Sequence, residues 1–361
     1  MAVAVGIRQP ATATGVGGGR WPSHLYEAPV DHSSITRRQP RNSPYTRPMI
    51  NKAISAVIAG ATLLAPAYGD RPADDWRRVG DGITSGISGI VVDGRHGNTV
   101  DTLAVRDNKE PGQQRLVVVR YSPHAKPQVR AVEWRGGQPV DLEAIDAVPG
   151  RDREYVALAS DGTAYRIRRE KDTVLRENGA IRRVRDTVRV IRKFQLPGIS
   201  PDGNYEGFTL SRTAHGAIVA VWADRGGDDR PAKLTAATWN PATGTFGKRD
   251  SAEFSAPYPA ENVRHVSDVE LSARGGLTVS SASDPGDDGP YDSALYAAGR
   301  LVVRGDGKVE LRLSGTPDRL ATFAGHKIEA LACLPGSSTG ILGTDDENDG
   351  GSVTTAAFCR P

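Results

Sequence analysis

From about residue 88 onward the chain alternates short apolar, strand-forming runs with turns that carry glycine or proline, and the alternation repeats at a nearly constant interval. Five segments open the repeats: Ser88-Gly-Ile-Val-Val, Glu143-Ala-Ile-Asp-Ala, Glu206-Gly-Phe-Thr-Leu, Ser267-Asp-Val-Glu-Leu and Glu329-Ala-Leu-Ala-Cys333, spaced by 55, 63, 61 and 62 residues. Each begins with a side-chain oxygen and places an apolar residue two positions later: Ile90, Ile145, Phe208, Val269 and Leu331. Gly or Pro turns follow, at Gly94, Pro149-Gly150, Gly216, Gly275-Gly276 and Pro335-Gly336. Second strands then read Thr102-Leu-Ala-Val105, Tyr155-Val-Ala-Leu158, Ile218 to Trp222, Leu277 to Ser280 and Gly340-Ile-Leu342. Third strands stand out at Arg115–Tyr121 and Lys233–Trp239, and fourth strands at Val129–Trp134 and Val309–Leu313. Many short β-runs without helical periodicity predict an all-β fold. Four strands per repeat at this period predict a β-propeller of five four-stranded blades.

The fifth copy is short. Only 33 residues run from Glu329 to the end, enough for three strands, the third at Val353–Phe358. The segment Asp75-Trp-Arg-Arg-Val79 precedes the first repeat and has no blade of its own. It is predicted to become the outer strand of the last blade, closing the ring and removing a free edge. The stretch Arg169–Thr187 is extra, predicted to be an insertion or long hairpin in the second blade with its dense charge on a solvated face.

Residues 1–48 are rich in Gly, Pro, Ser, Thr and Arg, lack apolar periodicity, and read as a disordered or mis-started extension. Residues 49–69 have the layout of a secretory signal peptide: Lys52, the apolar run Ala53–Ala65, and small residues at Ala67 and Gly69. That run is too short to span a bilayer. The expected product is therefore a secreted, extracellular propeller over 70–361, without a membrane span. The leader takes 7 basic and 2 acidic side chains with it, leaving 39 Lys and Arg against 41 Asp and Glu. The basic balance of the whole chain thus belongs to the leader and gives no reason to expect a nucleic-acid partner. A monomer is expected. The two cysteines, Cys333 and Cys359, fall in the last repeat, and export makes a disulfide between them the expected state, with two buried thiols as the alternative.

The first strand of a propeller blade lines the central channel, so the lead residues Ser88, Glu143, Glu206, Ser267 and Glu329 are predicted to ring its mouth. The second strands end in Asp107, Asp161, Asp224, Asp284 and Asp345, which lie 19, 18, 18, 17 and 16 residues after their lead oxygens. Those aspartates are predicted to form an outer ring on the same face. Converging glutamates repel one another unless a cation neutralises them. Oxygen-only ligands without His or Cys suit Ca²⁺ first and Mg²⁺ second. The bland alternative is that these residues cap strand ends.

The order Ser, Glu, Glu, Ser, Glu around the ring resembles that of the calcium-activated nucleotidases, or soluble apyrases, which are five-bladed propellers with a central Ca²⁺. Ser267-Asp-Val-Glu-Leu resembles that family's Ser-Asp-Phe-Lys-Phe, and Glu329-Ala-Leu its Glu-Gly-Ile. The first loop departs from the family's Asp-Asp-Arg-Thr-Gly, reading Arg106-Asp107-Asn108-Lys109-Glu110. The second, around Asp161, is short, while the third keeps Arg225 beside Asp224. The resemblance implies Ca²⁺-dependent hydrolysis of a small phosphorylated substrate, as in a nucleotidase, phosphatase or phytase-like enzyme. It would have Asp107 or Asp224 activating water, with Lys109, Arg225 and Arg230 on the phosphoryl group. Asp161, Asp284 and Asp345 would complete the substrate face. The rival reading is a non-catalytic propeller that binds an extracellular ligand, its cation structural. Nucleophilic catalysis finds no support: there is no Gly-x-Ser-x-Gly elbow, and the histidines are scattered.

Overall fold

A computed structural model describes residues 75–171, 176–177, 180–181 and 186–359. The extension and signal peptide expected over 1–69 lie outside the described residues. Five antiparallel sheets, each built on four strands, follow one another along the chain as blades. The first comprises Gly89–His96, Thr99–Val105, Leu116–Ser122 and Ala125–Ala131. The second comprises Leu142–Ala147, Glu154–Ala159, Thr163–Lys171 and Asp186–Gln195. The third runs through Tyr205–Arg212, Ile218–Asp224 and Ala232–Asn240, with Thr245–Phe246 and Asp250–Phe254 at its edge. The fourth is Val263–Leu271, Gly276–Ser283, Asp292–Val303 and Val309–Ala324. The fifth is Ile328–Cys333, Thr339–Thr344, Ser352–Ala357 and, from the other end of the described chain, Arg77–Arg78. Arg77 and Arg78 lie antiparallel to Val353 and Ser352, so the ring closes as expected. Each innermost strand packs on the next, and the last packs on the first. Cys333 and Cys359 are joined by a disulfide inside this composite blade.

The near-continuous apolar runs have a direct cause. Both faces of every blade are covered, so the core is five layers, one at each seam between neighbouring blades. Polar side chains then tie the seams together. Asp146 accepts the Leu210 N–H at 2.6 Å, and Asp268 accepts those of Val269 and Leu331, both at 2.7 Å. Glu270 accepts the Cys333 N–H at 3.2 Å. Partners across a seam are 63 or 64 residues apart, one more than the local blade repeat.

Two expectations change. Val129–Trp134 is not one outer strand. Ala125–Ala131 pairs within the first blade, whereas Glu133–Arg135 runs parallel to Thr187–Arg189 in the second. Val132 between them is buried in the seam, and its N–H is held by Leu116 O at 2.9 Å, which carries the chain across. The charged stretch Arg169–Thr187 is the hairpin joining the third and fourth strands of the second blade, but its base is not solvated. Arg169 and Asp186 are both buried, with Arg169 Nη2 at 2.9 Å from Asp186 and Nη1 paired with Asp93.

Candidate functional site

The lead residues stand at the starts of the innermost strands, most of them at irregularities in the ladder. In the second blade Leu142 faces Ala159 and Ala144 faces Leu158, which leaves Glu143 unpaired. Glu206 is skipped in the same way between Tyr205 and Gly207, and Glu329 between Ile328 and Ala330. A bulge of this kind re-aims one side chain while the strand continues. The fourth blade has a wider irregularity, with His265, Val266 and Ser267 all opposite Ser281. In the first blade Ser88 sits just outside the ladder, its N–H on Val105 O at 3.1 Å.

The five lead positions do not behave alike. Glu206 and Glu329 share one guanidinium: Arg264 Nη1 lies 3.2 Å from Glu206 Oε1 and 2.6 Å from Glu329 Oε1. Arg225 adds a 2.8 Å contact to Glu206, and Lys327 a 3.3 Å contact to Glu329. Ser267 turns into the seam, donating to Ile328 O at 2.7 Å with Ser280 Oγ 3.0 Å away. Ser88 Oγ is buried without a partner, as is Glu206 Oε2. The five residues expected to ring a cation, with the serines giving hydroxyl or backbone oxygens, thus have different partners. On the side of blades three to five the protein supplies its own cations, and Ser267 gives its hydroxyl to the seam.

The side of blades one and two is different. One oxygen from each of Asp107, Asp141 and Glu143 lies within 4.8 Å of the others. Glu143 is buried, and among the described residues no hydrogen bond or ion pair reaches its carboxylate. Burial, and then the charges of Glu206, Asp107 and Glu329, push its pKa well above the ordinary value. Burial and the charge of Glu329 raise Asp107 to about 6, with Lys109 opposing. Asp141 holds a positive φ of 59°, a left-handed conformation rare for a non-glycine residue and associated with functional strain. Its carboxylate accepts Ser160 Oγ and pairs with Lys109 Nζ at 3.0 Å.

The remaining predicted residues are spread around this centre. Arg264 binds Asp284, and although burial works against that charge, the guanidinium keeps the Asp284 pKa below its usual value. Asp345 is buried, which raises its pKa strongly, with Glu329 adding and Lys327 opposing. Gly86 packs so closely against it that an added Cβ would sit 2.1 Å from Asp345 Oδ1. Asp224 is taken up by Arg230, at 2.6 and 3.1 Å, and by the Gly226 N–H. Asp224 and Arg230 are thus paired with each other, with the Arg230 side chain half exposed. Asp161 is exposed in a turn, where it accepts the Thr163 N–H at 2.8 Å.

Asp141, Arg264 and Lys327 were not among the expected site residues. Asp141 and Lys327 stand two places before their lead residues, and Arg264 three places before Ser267. Aligning the repeats two residues further upstream would have found the first two. The carbonyls of Asp141, Asn204 and Lys327 accept the N–H of Ser160, Arg225 and Asp345 at 3.1, 2.9 and 3.0 Å, so this position recurs structurally.

No family model matches the chain, and no curated protein matches it. Solved structures align with much of the chain at low similarity. A thermostable family-43 glycoside hydrolase aligns at 10% identity and TM-score 0.43, over 79% of this chain and 93% of the other. An exo-1,5-alpha-L-arabinanase from a bovine ruminal metagenomic library gives 10%, 0.42, 76% and 94%. The PQQ domain of a pyranose dehydrogenase from Coprinopsis cinerea gives 12%, 0.37, 80% and 97%. At this distance the likeness assigns no chemistry to the chain. Among the described residues no helix is long and apolar enough to cross a membrane.

Proposed function

We propose that the protein is an exported β-propeller that binds a divalent cation at one side of its channel mouth and a small anionic ligand, of the phosphorylated class, beside it. The carrying observation is the meeting of Asp107, Asp141 and Glu143 oxygens within 4.8 Å, with the Glu143 side chain largely buried and no hydrogen bond or ion pair to its carboxylate among the described residues. A carboxylate in that state requires either a proton or a cation. The all-oxygen donor set fits Ca²⁺, with Mg²⁺ second. When bound, such an ion would clamp anionic oxygens and acidify a coordinated water. Lys109, exposed and paired with Asp141 of the cluster, and Arg225, half-buried on Glu206, offer N–H donors to an anion. Asp107 would serve this site as a ligand: its raised pKa comes from burial and the Glu329 charge, which a bound cation would offset. The commitment of Asp224 and Arg230 to each other favours the second reading, a propeller that binds its ligand without hydrolysing it.

Calcium titration of thermal unfolding tests the cation. At roughly 100-fold excess over Kd, one bound ion should raise the midpoint by about 5 °C, and Glu143→Gln should remove that response. An equal response in both proteins would exclude the cluster. Phosphate release from nucleotides and phytate by the Ca²⁺-loaded protein then separates hydrolysis from binding. Asp107→Asn should abolish any release.

A further inference from the structure

We propose that Arg264, steadied by Lys327, is the resident cation of the channel axis, and that it decides where an outside ion can bind: beside blades one and two, never at the centre. Three carboxylates from three blades converge on this one guanidinium. Nη1 meets Glu206 of the third blade and Glu329 of the fifth, while Nε, at 2.9 Å, and Nη2 hold Asp284 of the fourth. Arg264 is only 14% exposed and always charged, so it meets the electrostatic requirement that a metal ion would otherwise meet. Lys327, 1% exposed, joins Glu329 to Glu347 and completes a chain of alternating charge. Glu206 Oε2, buried and unpartnered, marks the coordination capacity that the guanidinium leaves unused.

Arg264 is the last residue of the fourth blade's first strand in register, opposite Ala282, before the widened irregularity begins. Its neighbour His265 is fixed at both ring nitrogens: Nδ1 accepts the Ala256 N–H at 3.1 Å, so Nε2 carries the proton that faces Asp228 O at 3.0 Å. The backbone that presents Arg264 is thereby locked. Glu143 is the one lead glutamate with no ion pair to a basic side chain among the described residues; Lys109 acts on it only through its field. The inference depends on the preceding reading only for the off-axis ion; the axial claim stands on the Arg264 contacts alone.

The test counts Ca²⁺ ions by titration calorimetry in the full propeller and follows thermal unfolding in EDTA and in Ca²⁺. It uses wild type, Arg264→Gln, Glu143→Gln and the double variant. Arg264→Gln should bind one more ion than wild type. It should also lose thermal stability in EDTA and recover most of the loss in Ca²⁺. The double variant should bind one ion where Glu143→Gln binds none. Equal stoichiometry in wild type and Arg264→Gln, or a loss that Ca²⁺ leaves unrepaired, overturns the proposal. If Arg264→Gln does not stay folded in EDTA, refolding decides: recovery in Ca²⁺ alone supports the axial site, and failure in both buffers overturns it. If wild type binds no ion and Arg264→Gln binds one, the axial claim holds and the off-axis reading fails. One ion in each, lost in Glu143→Gln, upholds the off-axis reading and overturns the axial claim.

Discussion

Asp146 and Glu270 stand three residues beyond the lead positions of their blades and place carboxyl groups in the seams to the next blade. Burial raises Asp146 to about 6 against the pull of its backbone hydrogen bonds; burial and then the Asp146 charge raise Glu270 to about 8. A carboxyl whose folded pKa lies above its unfolded value takes up a proton on folding, so stability declines as pH rises between the two values. The free energy of unfolding in EDTA should therefore fall from about pH 4 to pH 8. Glu270→Gln should remove on the order of 2 kcal/mol of that decline, spread over the interval between its ordinary pKa and about pH 8. Urea denaturation at a series of pH values measures it, and an unchanged slope in Glu270→Gln would contradict the assignment. These two carboxylates also show what the sequence conceals at this scale. The lead oxygens are legible because they recur. Asp146 and Glu270 look like ordinary alternation in a strand, and only the fold reveals that they face the next blade. Arg264 was hidden for another reason: its blade alone carries the wider irregularity, so no second copy points to it.

At the scale of the strand and blade, the order of elements can be read because every sheet is covered on both faces. That covering turns strands such as Ile218–Asp224 and Thr339–Thr344 into nearly unbroken buried runs. What pattern reading misses is the handover of Glu133–Arg135 to the second blade, decided by burial of the single residue Val132. It also misses the bulges, which depend on pairing register rather than composition. The seam bonds make a prediction at this level. Asp268 is buried and holds two backbone N–H groups, one in the adjacent blade. Asp268→Ala would leave both donors unpaired in the interior, at a cost of about 2 kcal/mol. The urea midpoint should drop accordingly with no change in the slope of the transition. A neutral result would mean that water replaces the carboxylate in the seam.

For the whole molecule, the fifth blade is where the ring is both closed and exposed to failure. Its outer strand is only Arg77–Arg78, yet the same segment binds on both sides of the closure. Arg77 donates to Pro123 O of the first blade at 3.0 and 2.8 Å, and the Val79 N–H reaches Gly351 O at 2.8 Å. Trp76 stacks 4.3 Å from the His326 ring, and Val79 is buried in the seam between the fifth and first blades. The disulfide pins the same blade from its other end, closing a loop over a sequence separation of 26. A loop of that length corresponds to about 3 kcal/mol of chain entropy removed from the unfolded state. Replacing both cysteines by serine should lower stability by up to that amount while the ring stays closed and monomeric. Deleting residues 1–79 acts differently, because it uncovers the edge of Ser352–Ala357 and leaves its backbone groups free to pair with another chain. Size-exclusion chromatography should then show concentration-dependent association in the truncated protein and none in the double serine variant. Association of both, or of neither, would mean that the two-residue strand is not what seals the ring.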